Sequence, residues 1–216
     1  MKLLKFDDIK NTFSGKKVAI FGSAPNCLEN DGKEIDKHDY VIRVNNFKIF
    51  PEKTGKRIDV HYSFYGSSIR TTKESIKDIK FHMCKCPNDF CFDHNVPWDP
   101  HNRGSDFRWI YENRKDFWLA PVYIPTKERF MKYFDYLGGH VPTTGFSCIL
   151  DLIDCEPQEL YITGFDGFKS GLHNINERWR DKSKVRNDPI SHIPEKETKL
   201  LKIFKEKHAF IRSNCV

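Results

Sequence analysis

Residues 17–46 read KVAIFGSAPNCLENDGKEIDKHDYVIRVNN, and the fold follows from how this stretch divides. Val18-Ala19-Ile20-Phe21 has the length and composition of a buried strand. It stops at Gly22-Ser23-Ala24-Pro25. A glycine there lets backbone N–H groups approach a ligand, and the turn after a strand is where α/β folds bind phosphates. A second apolar run, Tyr40-Val41-Ile42-Arg43-Val44, ends in Asn45-Asn46. The two strands deliver polar ends, Gly22-Ser23 and Asn45-Asn46, to one edge of a parallel sheet. An ordinary strand-to-helix turn remains the alternative at this point, because a lone glycine turn is weak information.

Outward from this stretch, strand and helix signals follow one another. Residues 3–14 read as a helix ended by Gly15, and 25–30 as a short helix. Residues 58–64 alternate apolar and polar positions, a strand closed by Gly66-Ser67-Ser68. Residues 71–78 are helix-like, 79–84 strand-like, and 85–106 a long loop with little periodicity. Residues 117–124 form a further strand candidate, bent at Pro121. Thr126 is the N-cap of a helix over 126–137, in which Phe130, Tyr133, Phe134 and Leu137 make an apolar stripe. Thr143-Thr144-Gly145 opens another helix, whose hydroxyls and N–H groups suit an anion or serve merely as a cap. A strand over 159–163 ends at Gly164-Phe165-Asp166. Residues 166–191 form a long polar segment of the kind that makes lids and binding loops, with Gly167 and Gly171 able to hinge it. Pro194 opens the last helix and Ala209-Phe210-Ile211 is a closing strand.

The 216 residues suit one α/β domain, 1–216. No apolar run approaches the roughly 20 residues needed to cross a bilayer, and Met1–Asp8 is too charged for a signal peptide. The net charge of +6 fits attraction to an anionic substrate as well as a plain solvated surface. Nucleic acid is not expected, since no RNP, zinc-finger or helix-turn-helix pattern is visible. The seven scattered cysteines point to a reducing cytoplasm. His82, Cys84, Cys86, Cys91 and His94 raise the question of zinc, but Cys84-x-Cys86 is tighter than the usual paired ligands, which leaves buried or free thiols as the simpler reading.

Four pieces in order resemble the motifs of the eukaryotic-type sialyltransferases. Gly22-Ser23, then Asp36-Lys37-His38-Asp39, then Arg43-Val44-Asn45 resembles the large sialylmotif. Pro142-Thr143-Thr144-Gly145, an apolar helix and Gly164-Phe165 resemble the small one. His173-Asn174 stands where the family carries its third motif, without the usual aromatic run. His192 to Glu197 fits H-x4-E, the very small motif.

The resemblance implies a Rossmann-like α/β domain, with a mostly parallel sheet flanked by helices, a GT-A-like variant. It implies an inverting glycosyltransferase with CMP-sialic acid as donor, a glycan acceptor and neither cofactor nor metal. By the same resemblance His192 is the base, Gly22, Ser23, Asn45, Thr144, Gly145 and Gly164 bind the donor, and Thr143 and His173 are further carry-overs. Ser23 stands where many members have Asn. The disulfide that joins the large and small motifs in animal members is not expected, since Lys17 stands at the position that would pair with Cys155. Another nucleotide-dependent transferase on the same fold, or a catalytically idle nucleotide-sugar-binding module, is the rival; an intact H-x4-E argues against the idle module.

Overall fold

The structure, a computed structural model, describes residues 2–64, 72, 74–85, 120–170 and 192–215. In chain order these form β1 (Leu3–Leu4), α1 (Phe6–Phe13), β2 (Lys17–Phe21), a 3-10 turn (Pro25–Glu29), α2 (Gly32–Ile35) and β3 (Tyr40–Val44). There follow α3 (Pro51–Thr54), β4 (Val60–Ser63), a 3-10 turn (Glu74–Ile76), β5 (Phe81–Cys84), β6 (Val122–Tyr123) and α4 (Lys127–Tyr136). The chain closes with α5 (Thr144–Asp154), β7 (Glu159–Thr163), α6 (Pro194–Lys207) and β8 (Ile211–Ser213).

Among the described residues the strands make one eight-stranded sheet in the order β1-β6-β5-β4-β3-β2-β7-β8. Every pairing among the described residues is parallel, from Leu3 beside Val122 at one edge to Leu160 beside Ile211 at the other. A parallel sheet is covered on both faces, which is why its strands read as continuous apolar runs. Successive residues of β2 accordingly enter different layers. Val18 and Ile20 join the larger core with Ile42, Val44, Phe146, Ile149 and Leu152. Ala19 and Phe21 join a smaller one with Cys27, Ile35 and Val41.

The order carries the functional geometry. From β2 the chain steps to β3, β4, β5 and β6 in one direction, and β7 then returns to the other flank of β2. The switch point lies between β2 and β7, and ligands of open α/β sheets bind in the crevice outside the strand ends at such a point. Phe21 pairs with Thr163, so Gly22 and Gly164 leave the sheet side by side there.

α5 brings its N-terminus to the same edge and is buried along almost its whole length. Burying an Ile or Leu is worth about 1.5–3 kcal/mol. One charged group sits inside this apolar helix: Asp151, fully buried, accepts from Tyr133 Oη at 2.7 Å, Tyr62 Oη at 2.9 Å and Arg129 Nε at 2.9 Å. Desolvation pushes its carboxyl up, while Arg129 and the tyrosines pull it back. A buried charge is tolerated only with such partners, and here they tie α5 to β4 and α4.

The expected N-terminal helix divides into β1 and α1, because Leu3-Leu4 pairs with β6 before Asp8 caps the Lys5 N–H at 2.8 Å. The helix-like 71–78 contains one 3-10 turn, Glu74–Ile76. The last strand sits slightly later than expected, at Ile211–Ser213, in parallel register with β7.

Candidate active site

Two glycines make the crevice possible. A Cβ on Gly22 would lie 2.2 Å from the Gly164 carbonyl oxygen, and one on Gly164 would lie 2.6 Å from that of Gly22. The backbones touch, and two hydrogen bonds fix them: Gly22 N donates to Thr163 O and Ala24 N to Gly164 O, each at 2.9 Å. Gly164 also has φ +79°, a conformation suited to glycine. Phe165 follows, and its ring fills the space left by two absent side chains. A Cβ on Gly22 would meet it at 2.9 Å and one on Gly145 at 2.2 Å. Gly22, Gly145 and Gly164-Phe165, more than a hundred residues apart at the extremes, thus form one packed unit.

Gly145 stands in the first turn of α5. Thr143 is the N-cap, its Oγ1 accepting from Phe146 N at 3.1 Å, and its carbonyl accepts from Ser147 N at 2.9 Å. The N–H groups of Thr144 and Gly145 precede the first helical bond and carry the positive end of the helix dipole. Gly145 and Gly22 both pack on the Phe165 ring, so this helix start stands beside the Gly22-Ser23 turn, an arrangement that suits a phosphate.

Glu197 and His192 hold the strap that leads into this helix. Glu197 Oε1 accepts from Thr143 N at 2.6 Å and Oε2 accepts from Thr143 Oγ1 at 2.7 Å. Burial pushes the Glu197 carboxyl up to about 7, against the hydrogen bonds from Thr143 and the charge of Lys85, which favour the ionised form. His192 Nδ1 lies 2.7 Å from the carbonyl oxygen of Val141. A carbonyl only accepts, so Nδ1 carries the proton and the basic lone pair of the neutral ring is on Nε2. His192 as a residue is exposed, with its bond to Val141 partly buried. It does not cap α6, whose N-cap is Ile193 without a side-chain hydrogen bond.

Asn45 lies one residue beyond β3, with φ +52°. Arg43, two residues earlier, is fully buried and points elsewhere: its guanidinium donates to the carbonyls of Thr54 at 2.8 Å and Arg57 at 3.0 Å and lies over the Phe21 ring at 5.1 Å. Asp36, His38 and Asp39 sit at the opposite edge of the sheet from the glycine crevice. Asp39 accepts from Lys17 N at 2.8 Å, Asp36 from Arg57 N at 3.2 Å, and the His38 ring lies 3.0 Å from Ile35 O. Within this first motif only Gly22-Ser23 and Asn45 reach the crevice edge; Asp36 and Asp39 brace the strand starts and Arg43 holds the turn after α3.

Gly22, Ser23, Asn45, Thr143, Thr144, Gly145 and Gly164 therefore share the C-terminal edge of the sheet, and His192 joins them through Val141. His173 and Asn174 lie outside the described residues, as do Cys86, Cys91 and His94. His82 and Cys84 are buried in β5, and among the described residues no three His, Cys, Asp or Glu side chains come together as a metal site. Lys85, which belongs to none of the four motifs, is buried at the end of β5 with its charge acting on Glu197. A lysine at the C-terminal end of a parallel strand was the available signal.

Among the described residues, an all-parallel sheet with touching glycine turns and a helix N-terminus at its switch point defines the doubly wound class of α/β protein. The sequence model of glycosyltransferase family 29 (sialyltransferase) matches residues 16–209, and the chain belongs to that family. It is 26% identical over 184 residues to the mouse CMP-N-acetylneuraminate-beta-galactosamide-alpha-2,3-sialyltransferase 1, covering 75% of this chain and 48% of the relative. The pig protein of the same name is 27% identical over 190 residues, covering 78% and 49%. The chain thus spans about half the length of the curated relatives it matches. Its fold is similar to that of a mammalian sialyltransferase solved with Gal-beta-1-3GalNAc-ortho-nitrophenol, with TM-score 0.64 and 18% identity over 95% of this chain and 71% of that one. It is also similar to the Campylobacter jejuni sialyltransferase CstII in complex with cytidine-5'-monophosphate, with TM-score 0.57 and 18% identity over 94% and 81%.

Proposed function

We propose that this chain, as one catalytic domain over 1–216, transfers sialic acid from CMP-sialic acid to a hydroxyl of an acceptor glycan, with inversion at the anomeric carbon. The observation that carries the reading is the convergence of Gly22, Gly145 and Gly164-Phe165 at the sheet's switch point, within a chain of this family. The turn at Gly22-Ser23 and the Asn45 side chain receive the nucleotide. The N–H groups of Thr144 and Gly145 take up charge on the phosphate as CMP leaves, a role for fixed dipoles aimed where charge develops. Thr143 supports the site from behind, its hydroxyl shared between Phe146 N and Glu197.

His192 is the general base. Val141 holds Nδ1–H, so Nε2 receives the proton of the acceptor hydroxyl as its oxygen attacks the anomeric carbon and the bond to the CMP oxygen breaks. We read the reaction as metal-independent, because the helix N-terminus supplies the positive potential a cation would otherwise provide. Among the described residues no helix is long and apolar enough to cross a membrane. We place the chain in a reducing, cytoplasmic setting on the scatter and odd number of its seven cysteines.

The test is a thermal-shift comparison of CMP, UMP, GMP and AMP. A ligand at a hundred times its dissociation constant stabilises by about 2.7 kcal/mol. CMP should raise the melting temperature most; equal shifts, or a preference for UMP, would remove the sialyl donor from the reading.

A further inference from the structure

Three consecutive residues of β4 grip Asn45. Its N–H donates to Tyr62 O at 2.9 Å. Its carbonyl accepts from His61 Nε2 at 2.8 Å, and its Oδ1 accepts from Ser63 Oγ at 3.1 Å. Neither His61 nor Ser63 belongs to any of the four motifs, and both side chains are fully buried. Alternation along the strand puts them on the same face of the sheet, while Tyr62 turns the other way to Asp151.

Each contact answers a specific need. The backbone of Asn45 is left-handed, φ +52°, a region that L-residues enter at a cost and keep only when their surroundings fix it. The peptide of Asn45 is pinned at both ends, its N–H by Tyr62 O and its carbonyl by His61, whose Nε2 must be protonated to donate. The packing of the His61 ring, with Phe47 at 5.8 Å and His82 at 6.2 Å between centroids, fixes that donor in place. The side-chain amide has a second freedom, rotation of its two ends, and a hydroxyl on Oδ1 favours one sense.

We propose that His61 and Ser63 are positioning residues of the donor site: His61 holds the turn that carries Asn45 over the sheet edge, and Ser63 sets its amide so that the NH2 end addresses an oxygen of the nucleotide. The ligand class rests on the donor reading above. The polarity is that of the structure, where Oδ1 meets the Ser63 hydroxyl on the strand side and nitrogen is the end turned from the strand. The partner chemistry is an acceptor oxygen, a base carbonyl, a ribose hydroxyl or a phosphate oxygen.

The experiment is a double-mutant cycle on CMP affinity with Ser63→Ala, Asn45→Ala and the pair, each checked by its melting temperature. Ser63→Ala should weaken CMP about fivefold or more, the scale of one hydrogen bond, while melting close to wild type. In the Asn45→Ala background it should add nothing, because the group it positions is gone. Factors that simply multiply, or an unchanged dissociation constant in Ser63→Ala, would overturn the proposal. A wild type that binds no CMP would instead overturn the donor reading. The positioning claim is then decided by the side-chain amide resonances of Asn45 in the ligand-free protein, assigned by their loss in Asn45→Ala. They should lie apart from the cluster of solvent-exposed asparagines and collapse toward it in Ser63→Ala; resonances that stay in place overturn it.

Discussion

The carboxylate of Glu197 grips Thr143 from 54 residues further along the chain, taking its backbone N–H at 2.6 Å and its hydroxyl at 2.7 Å. Thr143 caps α5, so this contact fixes where the helix N-terminus stands relative to the glycine crevice. His192 secures the same strap two residues earlier, through Val141. The first turn of α6 and the first turn of α5 are thereby one structural unit, with the proposed base on one side of it and the proposed phosphate site on the other.

This clamp makes stability depend on pH. Burial raises the Glu197 carboxyl from 4.5 to about 7 in the folded chain. Between those two values the folded state keeps a proton that the unfolded state has released, so stability falls as pH rises from about 4.5 and levels off above about 7. The shift corresponds to roughly 3 kcal/mol at most. Glu197→Gln cannot ionise and should lose that dependence. Melting temperatures of both proteins between pH 5 and 8 would show the wild type losing several degrees relative to the glutamine variant across the window; parallel curves would mean the carboxyl does not titrate there.

Gly22→Ala and Gly145→Ala separate backbone from side-chain crowding. The new methyl at position 22 would meet the Gly164 carbonyl at 2.2 Å, whereas at position 145 it would meet the Phe165 ring at 2.2 Å. The Gly164 carbonyl is held by Ala24 N at 2.9 Å and has nowhere to go, whereas a ring can swing. Overpacking costs about 1–3 kcal/mol. Gly22→Ala should stand at the upper end or beyond and abolish the CMP shift. Gly145→Ala should recover much of its stability when combined with Phe165→Leu. Denaturant midpoints decide this, and a Gly22→Ala protein as stable as wild type would contradict the close approach.

The sequence showed the strand–turn pairs, because β2 and β3 are buried on both faces and read as apolar runs, and it showed α5 because Thr143 is a strong cap. It did not show β1, since two leucines have no period and their strand exists only through Val122 and Tyr123, more than a hundred residues away. Asp151 was equally hidden. In sequence it is one acid in an apolar helix, and its meaning lies in Tyr62, Tyr133 and Arg129, which come from two other elements. The motif resemblance located the crevice residues but not the function of those between them. That Asp36 and Asp39 cap backbone N–H groups at the far edge, and that Arg43 holds carbonyls of the α3 turn, follows only from the distant segments each one meets in the fold.

If the helix dipole supplies the positive potential, a chelator should leave turnover intact. With CMP-sialic acid and a galactose-terminated acceptor, rates with and without EDTA should agree within about twofold, a barrier difference near 0.4 kcal/mol. Loss of turnover restored by manganese or magnesium would assign the phosphate charge to a cation instead.

The sharpest test is His192→Ala. Two roles for the residue give different outcomes. If its work is to hold the Val141 carbonyl, the strap loosens, α5 loses part of its support, and both melting temperature and CMP affinity fall. If it is the base, the hydrogen bond to Val141 serves to orient the ring, and the loss is confined to the chemical step. The geometry favours the second: the residue is exposed, the strap keeps its stronger tie to Glu197, and a single hydrogen bond is worth only about 0.5–1.5 kcal/mol. Positioned bases contribute about 10²–10⁴-fold. His192→Ala should therefore bind CMP almost normally, melt within a few degrees of wild type and transfer at a rate lowered at least about a hundredfold. His192→Gln adds the control, since its amide can still donate to Val141 but cannot accept a proton at the working pH; it should restore the melting temperature and leave the rate low. A His192→Ala protein that transfers sugar at close to the wild-type rate would remove the residue as base and turn attention to His173.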